Sequence, residues 1–414
     1  MVAGHPACRQ AGHSAVTAAR HYHAPDGTFR KVLPRDQARR ELAGQRMVAE
    51  LMPVPRLVGT RQAIDGCEIV YEDVFASGRC VSLLADCINT ADRDHSHLPA
   101  VPALVNQVCD SLLAAAQATG ATRTLDECVP DLHAARLAPR GRLDRWYTHT
   151  PQPTWVVDGQ RLGPADLATR TLVADGRKAG PGWPVDLPEL RSALARHTRW
   201  VTAITQGDVT EPNICQPLCW LDFEHAGRNA LASDTANFLW YLLGMGGWLV
   251  PAYQPGVYAR TLRAPVPPIA TPVIGHLRVT TRSVEIISTW QTGAGRHAAL
   301  STLLHRLAGD LGTALAPGGD VTARLRPFLA LRILGVISLR QMSGPHAIAC
   351  LAKLAELSNP AWNLTGWCAT VPVTPCPAGD TGSPAEPRIR DGNGSHPKEH
   401  HDHSRPRPAD HAGR

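Results

Sequence analysis

Apolar and polar residues follow two different periods along this chain, and the change of period divides it. Over the first 75 residues the pattern is strand-like around one helix. TAARHYHAP and TFRKVL flank Asp26-Gly27, a hairpin signal, because an Asp-Gly pair suits the positive-φ turn that joins two twisted strands. RDQARRELAGQRMVAELM then has helical spacing, with Ala38, Leu42, Ala49 and Met52 near one face and Pro53 as its stop. PRLVGT and EIVYEDV follow as two more strands. Beyond residue 100 the helical period dominates: ALVNQVCDSLLAAAQATG, LPELRSALARHTRWVTAI, ASDTANFLWYLLGMG, RHAALSTLLHRLAGDLGTAL and RPFLALRILGVISLRQM are expected helices. Pro/Gly-rich loops at 150–164, 176–188 and 264–272 interrupt them.

The expected fold class is therefore α+β. A small mixed-sheet lobe occupies residues 1–75 and a larger, mainly helical lobe residues 76–370. Residues 371–414 are rich in Pro, Gly, His and charge, with hardly any apolar side chain, which predicts a disordered tail. Its HPKEHHDH tract reads as solvated rather than as a metal site.

Composition narrows the class. At 414 residues, with 43% hydrophobic and 19% charged residues, the chain can bury a core large enough for two lobes. No run of 18 apolar residues occurs and the N-terminus lacks the apolar centre of a signal peptide, so a cytoplasmic protein without a membrane span is expected. Eleven scattered cysteines, with Cys215 and Cys219 completing no zinc pattern, read as reduced thiols. The net charge of +6 has no Lys/Arg cluster with interleaved aromatics behind it, so no nucleic-acid partner is expected.

The chemistry concentrates in QGDVTEPNICQPLCWLDFEHAGRNALASD, residues 206–234. Carboxylates are rare inside core strands because an unpaired buried charge is costly. With Pro217-Leu218 as a hairpin tip, Asn213 is expected to face Asp222 across the strands, close enough to share a hard cation such as Mg²⁺. Asp208 lies five residues before Asn213, the D-x-x-x-x-N spacing of a kinase catalytic loop, in which the Asp accepts the attacking hydroxyl's proton. Phosphoryl transfer also needs a cation on the nucleotide phosphates. Lys31 in FRKVL is the candidate, one of only four lysines in an Arg-rich chain. Glu41 is its expected brace, with Glu50 on the same helix as the competitor.

These residues resemble the aminoglycoside phosphotransferase and choline kinase superfamily, small-molecule kinases with a protein-kinase-like fold. Gln206-Gly207-Asp208…Asn213 is similar to the family's H-G-D-x-x-x-x-N, and Asp222-Phe223-Glu224 to its D-F-E/G. Asp234 matches a later family Asp that braces the catalytic loop, and it also reads as a helix N-cap. The resemblance covers roughly residues 12–250 and implies ATP and Mg²⁺ as cofactors, with a small hydroxylated acceptor. It implies Asp208 as base, Asn213 and Asp222 as metal ligands, and Lys31 and Glu41 at the phosphates. Glu72 and Val74 fall in the hinge YEDVFASG, and Ser14 in AGHSAVT stands where a glycine-rich phosphate loop would be. Gln206 departs from the family's His, and Gly12 is the one glycine beside Ser14.

The acceptor stays open. Between residues 89 and 205 there are 13 Lys/Arg against 12 Asp/Glu, which does not favour a pocket for a polycationic aminoglycoside. A choline- or ethanolamine-type kinase is the alternative, with Trp146, Tyr147, Trp155 and Trp183 as a conceivable cation–π box. A pseudokinase that only binds ligands is the non-catalytic alternative.

Overall fold

The computed structural model describes residues 20–64, 66–128, 133–148, 152–196, 199–255, 272–290, 292–359 and 363–368. Gly12 and Ser14, the segment 264–271, and the tail 371–414 with its His-rich tract lie outside them.

The chain opens with a hairpin of β1 (Arg20–His23) and β2 (Thr28–Leu33), turning at Gly27 with φ of 74°. Helix α1 (Arg35–Ala49) carries the chain to β3 (Leu57–Ala63), and β4 (Gly66–Glu72) returns between β3 and β2. The order β1-β2-β4-β3 is antiparallel at every pairing, where a mixed sheet was expected. The reason is β4, which enters the middle of the sheet by a hairpin and runs against both neighbours. One face of α1 buries Ala38, Glu41, Gly44, Gln45 and Val48. Successive steps of three and four residues from Ala38 reach Glu41, Gln45, Val48 and Met52, leaving Ala49 exposed rather than on the expected stripe.

The rest of the described chain is mainly helical. Helix Ala100–Thr119, with the turn before it, is long and apolar enough by length and composition to cross a membrane. Here it buries Val101, Leu104, Val105, Val108 and Leu112 and packs on strand Trp200–Thr205 and helix Ala294–Ala308. Two helices organise the core beneath the site: Leu231–Leu242, buried along almost all of its length, and Val321–Gly335, which packs against it.

Three expectations change here. The helix over 187–204 stops at Arg196, and Trp200–Thr205 is a strand, because WVTAIT is rich in β-branched and aromatic residues. Arg177–Pro181, inside the expected loop 176–188, is a strand paired with Thr171–Ala174, and the hairpin of strands Pro272–Val279 and Ser283–Trp290 joins them in a second four-stranded sheet. Within the expected loop 150–164, Trp155–Val157 and Gln160–Leu162 form a further hairpin, turning at Asp158-Gly159 with φ of 49° and 70°.

Candidate active site

Strand Trp200–Thr205 pairs with strand Gly227–Ala230, and the last rung joins Thr205 to Gly227. Everything between, residues 206–226, is thus an excursion with a short hairpin inside it, and its two ends are clamped together. Gly207 sits at its start with φ of 84°, and a Cβ there would fall 2.0 Å from the carbonyl oxygen of His225. No other residue fits that approach.

Gln206 ties the loop to itself. Its Nε2 donates to the carbonyls of Leu221 (2.8 Å) and Asp222 (2.5 Å), and its Oε1 accepts from the N–H of Asp208 at 2.9 Å. One side chain therefore fixes both candidate acidic positions relative to each other. The Asp208 carboxylate accepts from Asn237 Nδ2 at 2.8 Å and Asn213 Nδ2 at 3.3 Å, and lies 3.5 Å from Arg332 Nη2. Asn213 Nδ2 also donates to the Asp208 carbonyl at 3.0 Å, which leaves its Oδ1 as the open ligand atom.

The hairpin Ile214–Gln216/Cys219–Trp220 differs from expectation in register. Ile214 faces Trp220 and Cys215 faces Cys219, so the turn is centred on Pro217. The next rung brings Asn213 against Leu221, whose N–H donates to the Asn213 carbonyl at 2.9 Å, rather than against Asp222. Asp222 lies one residue past the ladder and takes φ of 61°, which turns it out of the strand. Asn213 and Asp222 nevertheless line one cavity together with Lys31.

Lys31 on β2 reaches that cavity from the other side. Its Nζ lies 2.9 Å from Glu41 Oε2 and 2.5 Å from Asp222 Oδ1. Glu41 is 1% exposed, accepts from Tyr71 Oη at 3.2 Å, and accepts the N–H of Phe223 at 3.2 Å. Glu50 is exposed at the end of the helix, and Lys31 pairs with Glu41 instead. Gly44 lets α1 seat directly on this segment: a Cβ there would meet the Phe223 carbonyl at 2.4 Å. Burial disfavours the charged ammonium of Lys31, yet Asp222 and Glu41 outweigh it and raise its pKa. Burial in the cleft works against the Asp222 carboxylate as well, but Lys31 holds its pKa below the usual range. Glu41 is pushed upward by burial, with Lys31 opposing.

Glu72 and Val74 line the same cavity. Glu72 is engaged by Arg79 (3.4 Å) and by Ser77 Oγ (3.1 Å). The Val74 carbonyl accepts the Cys80 N–H at 2.8 Å. The sequence reading passed over His23, which meets Asp73 at 2.5 Å on the cavity wall, and over Asn237 and Arg332 beneath Asp208. Asp234 is not an N-cap. It sits inside helix Leu231–Leu242, fully buried, accepting from the Thr205 hydroxyl at 2.5 Å. Burial, with Asp208 nearby, lifts its pKa to about 7.

The four aromatic residues make no open box. Tyr147 and Trp155 are 6% and 4% exposed and donate to the Leu334 and Leu339 carbonyls, as core side chains do.

No protein-family model matches the chain, and no curated protein matches it in sequence. Among solved structures it is similar to small-molecule kinases. One is the aminoglycoside phosphotransferase APH(3'')-Id from Streptomyces rimosus, at 17% identity and a TM-score of 0.35, covering 63% of this chain and 87% of that one. A glucosamine kinase aligns at 14% identity and a TM-score of 0.40, covering 82% and 73%. A thermostable mutant of the aminoglycoside phosphotransferase APH(4)-Ia aligns at 12% identity and a TM-score of 0.45, covering 86% and 96%.

Proposed function

We propose that the chain is an ATP- and Mg²⁺-dependent phosphotransferase acting on a hydroxyl group of a small molecule, an antibiotic or a metabolite. The observation that carries this is the position of the Lys31 ammonium between Glu41 and Asp222, on the wall of a cavity that Asn213 shares. A lysine held by a helix glutamate beside an aspartate is the arrangement that grips nucleotide phosphates next to a metal ligand.

The donor set fits a hard cation. Asp222 presents a carboxylate that is 40% exposed to the cavity, and Asn213 presents an amide oxygen. Among the described residues no cluster of three His, Cys, Asp or Glu side chains forms a metal site. Two protein oxygens are enough where substrate phosphates and water complete an octahedral shell, as is usual for Mg²⁺. When bound, Mg²⁺ supplies charge neutralisation on the phosphates.

The remaining roles belong to the chain. Lys31 exchanges its contact with Asp222 for phosphate oxygens while keeping Glu41. Glu72 and Val74 border the base at the hinge. Asp208, with Asn237 and Asn213 on its two oxygens, orients the acceptor hydroxyl and accepts its proton. Binding of ADP measured by thermal shift with and without Mg²⁺, then ATP consumption across hydroxylated metabolites and antibiotics, tests the proposal. Failure to bind nucleotide in the presence of Mg²⁺ overturns it.

A further inference from the structure

Beneath Asp208 lies a group of basic side chains that the proposed roles do not use. Helix Val321–Gly335 presents Phe328, Arg332 and Gly335 at spacings of four and three residues, hence on one face. The short helix Ala134–Leu137 and the residue before it lie against that face. His133 meets Phe328 edge-on at 5.2 Å. Arg136 runs over Gly335, where an added Cβ would sit 3.5 Å from its Cδ and 3.7 Å from its Nη1.

These side chains are rich in donors and poor in partners. Arg332 is 3% exposed and His133 4% exposed. Buried Nε and Nη2 of Arg332, Nε and Nη1 of Arg136, and both ring nitrogens of His133 make no hydrogen bond among the described residues. The carboxylates acting most strongly on them are Asp208, felt by both arginines, and Asp234, felt by Arg332. Burial, then the neighbouring Arg332 and Arg142, pull the Arg136 pKa well below its ordinary value. Burial followed by Arg332 and Arg136 does the same to His133. Among the described residues the three groups therefore crowd one another with few carboxylates facing them, an arrangement that an added anion would complete.

Arginine suits that completion, since its planar fork matches carboxylate and phosphate oxygens. We propose that the acceptor carries an anionic group, a carboxylate or phosphate, bound between Arg136 and Arg332 so that its hydroxyl lies at Asp208. This inference rests on the phosphotransferase reading and deepens it by naming the acceptor class. Arg136 is half-buried, whereas Arg332 is buried.

The test is equilibrium binding by calorimetry on the full chain. The nucleotide site is filled with Mg²⁺ and a non-hydrolysable ATP analogue, so that added anions do not bind as phosphate mimics. Glucuronate, glucose 6-phosphate, glucose and glucosamine are then titrated at low salt, with sulfate as a minimal oxyanion. The expected result is at least tenfold tighter binding of one or more anions than of glucose or glucosamine. Arg136→Gln is expected to remove that preference and Arg136→Lys to keep part of it, both with analogue affinity within twofold. Arg332 is buried and Arg136 only half-buried, so Arg136 is the deciding position. Equal binding of neutral and anionic sugars, binding of none of them, or an unaltered preference in Arg136→Gln overturns the anionic acceptor and leaves the phosphotransferase reading standing. Failure of the analogue itself to bind overturns the phosphotransferase reading instead, and the anion series without nucleotide still decides the site.

Discussion

The backbone N–H of Phe223 donates to Oε2 of Glu41 at 3.2 Å, and the same oxygen holds Lys31 at 2.9 Å. The helix glutamate thus sets both the lysine and the turn that carries Asp222. Glu41→Gln keeps the side chain's shape but removes its charge, so the ammonium retains only the Asp222 carboxylate. Hydrogen bonds to charged groups contribute roughly 1.5–3 kcal/mol. kcat/KM for ATP is expected to fall by about 10–100-fold, with kcat and KM both affected because phosphate is held in ground and transition states alike. An unchanged profile would return Glu41 to a purely structural role.

Asp222 takes φ of 61°, a region that Asn tolerates and Ala does not. Asp222→Asn is therefore the informative change. It is expected to leave the melting temperature without ligand within a few degrees while removing the Mg²⁺-dependent part of ADP binding. Thermal-shift titrations of ADP with and without Mg²⁺ check both halves. Retained Mg²⁺ dependence would count against Asp222 as a ligand.

Asp234 gives a pH signature. Burial raises its pKa to about 7 from an ordinary value of 3.8. The unfolded chain therefore holds fewer protons at this site than the folded one between those values. Stability at this site is full below the lower value and is lost as pH rises through about 7. Asp234→Asn can still accept from the Thr205 hydroxyl but does not titrate. Urea unfolding between pH 4.5 and 8 is expected to show a flatter decline with pH in this variant than in the parent. Parallel curves would place the Asp234 titration at its ordinary value.

Much of this site was legible because its determinants are local. The five-residue interval from Asp208 to Asn213, and a lysine on a strand followed by a helix glutamate, need only short-range spacing. Glu41 lay near the expected stripe of Ala38, Leu42 and Ala49, which set it above Glu50, although the buried face runs through 38, 41, 45 and 48 and leaves Ala49 exposed. The hairpin register was less legible, because the pairing centre falls on Pro217 rather than after it, and one residue's slip trades Asp222 for Leu221. Asn237, Arg136 and Arg332 belong to helices without a motif, and only the packing of helix on helix brings them to Asp208. The hairpins at Asp158-Gly159 and Asp175-Gly176 carry the same turn signal as Asp26-Gly27, so they were readable and were passed over among the flanking prolines and glycines.

Arg296 and Glu211 offer a test of how firmly the loop is held. Arg296 is fully buried, and its two terminal nitrogens lie 2.5 and 3.0 Å from the Glu211 oxygens, with a further bond to the Tyr241 carbonyl at 3.0 Å. Glu211 opens the short turn that ends at Asn213. Arg296→Met would leave that carboxylate buried and unpaired, at a cost of about 3–5 kcal/mol. A large drop in the denaturation midpoint is expected. The double variant Arg296→Met/Glu211→Gln should recover part of it, since no bare charge then remains. Failure of the second change to recover stability would mean that packing, rather than charge pairing, makes Arg296 matter.

Asp208→Asn separates chemistry from scaffold. The Asp208 carboxylate accepts from two amides, Asn237 at 2.8 Å and Asn213 at 3.3 Å, so an amide in its place turns one acceptor into a donor facing another donor. A loss of about 1 kcal/mol of stability is expected from that mismatch. Nucleotide binding should be nearly unchanged, because Lys31, Asn213 and Asp222 all remain. Phosphoryl transfer should fall by on the order of 10²–10⁴, the usual contribution of a positioned general base. If Asp208 served only to hold the loop, the stability loss would appear without the rate loss. Measuring unfolding, ADP affinity and turnover on this one variant distinguishes the two roles, and turnover near the parent value would count against the phosphotransferase assignment itself.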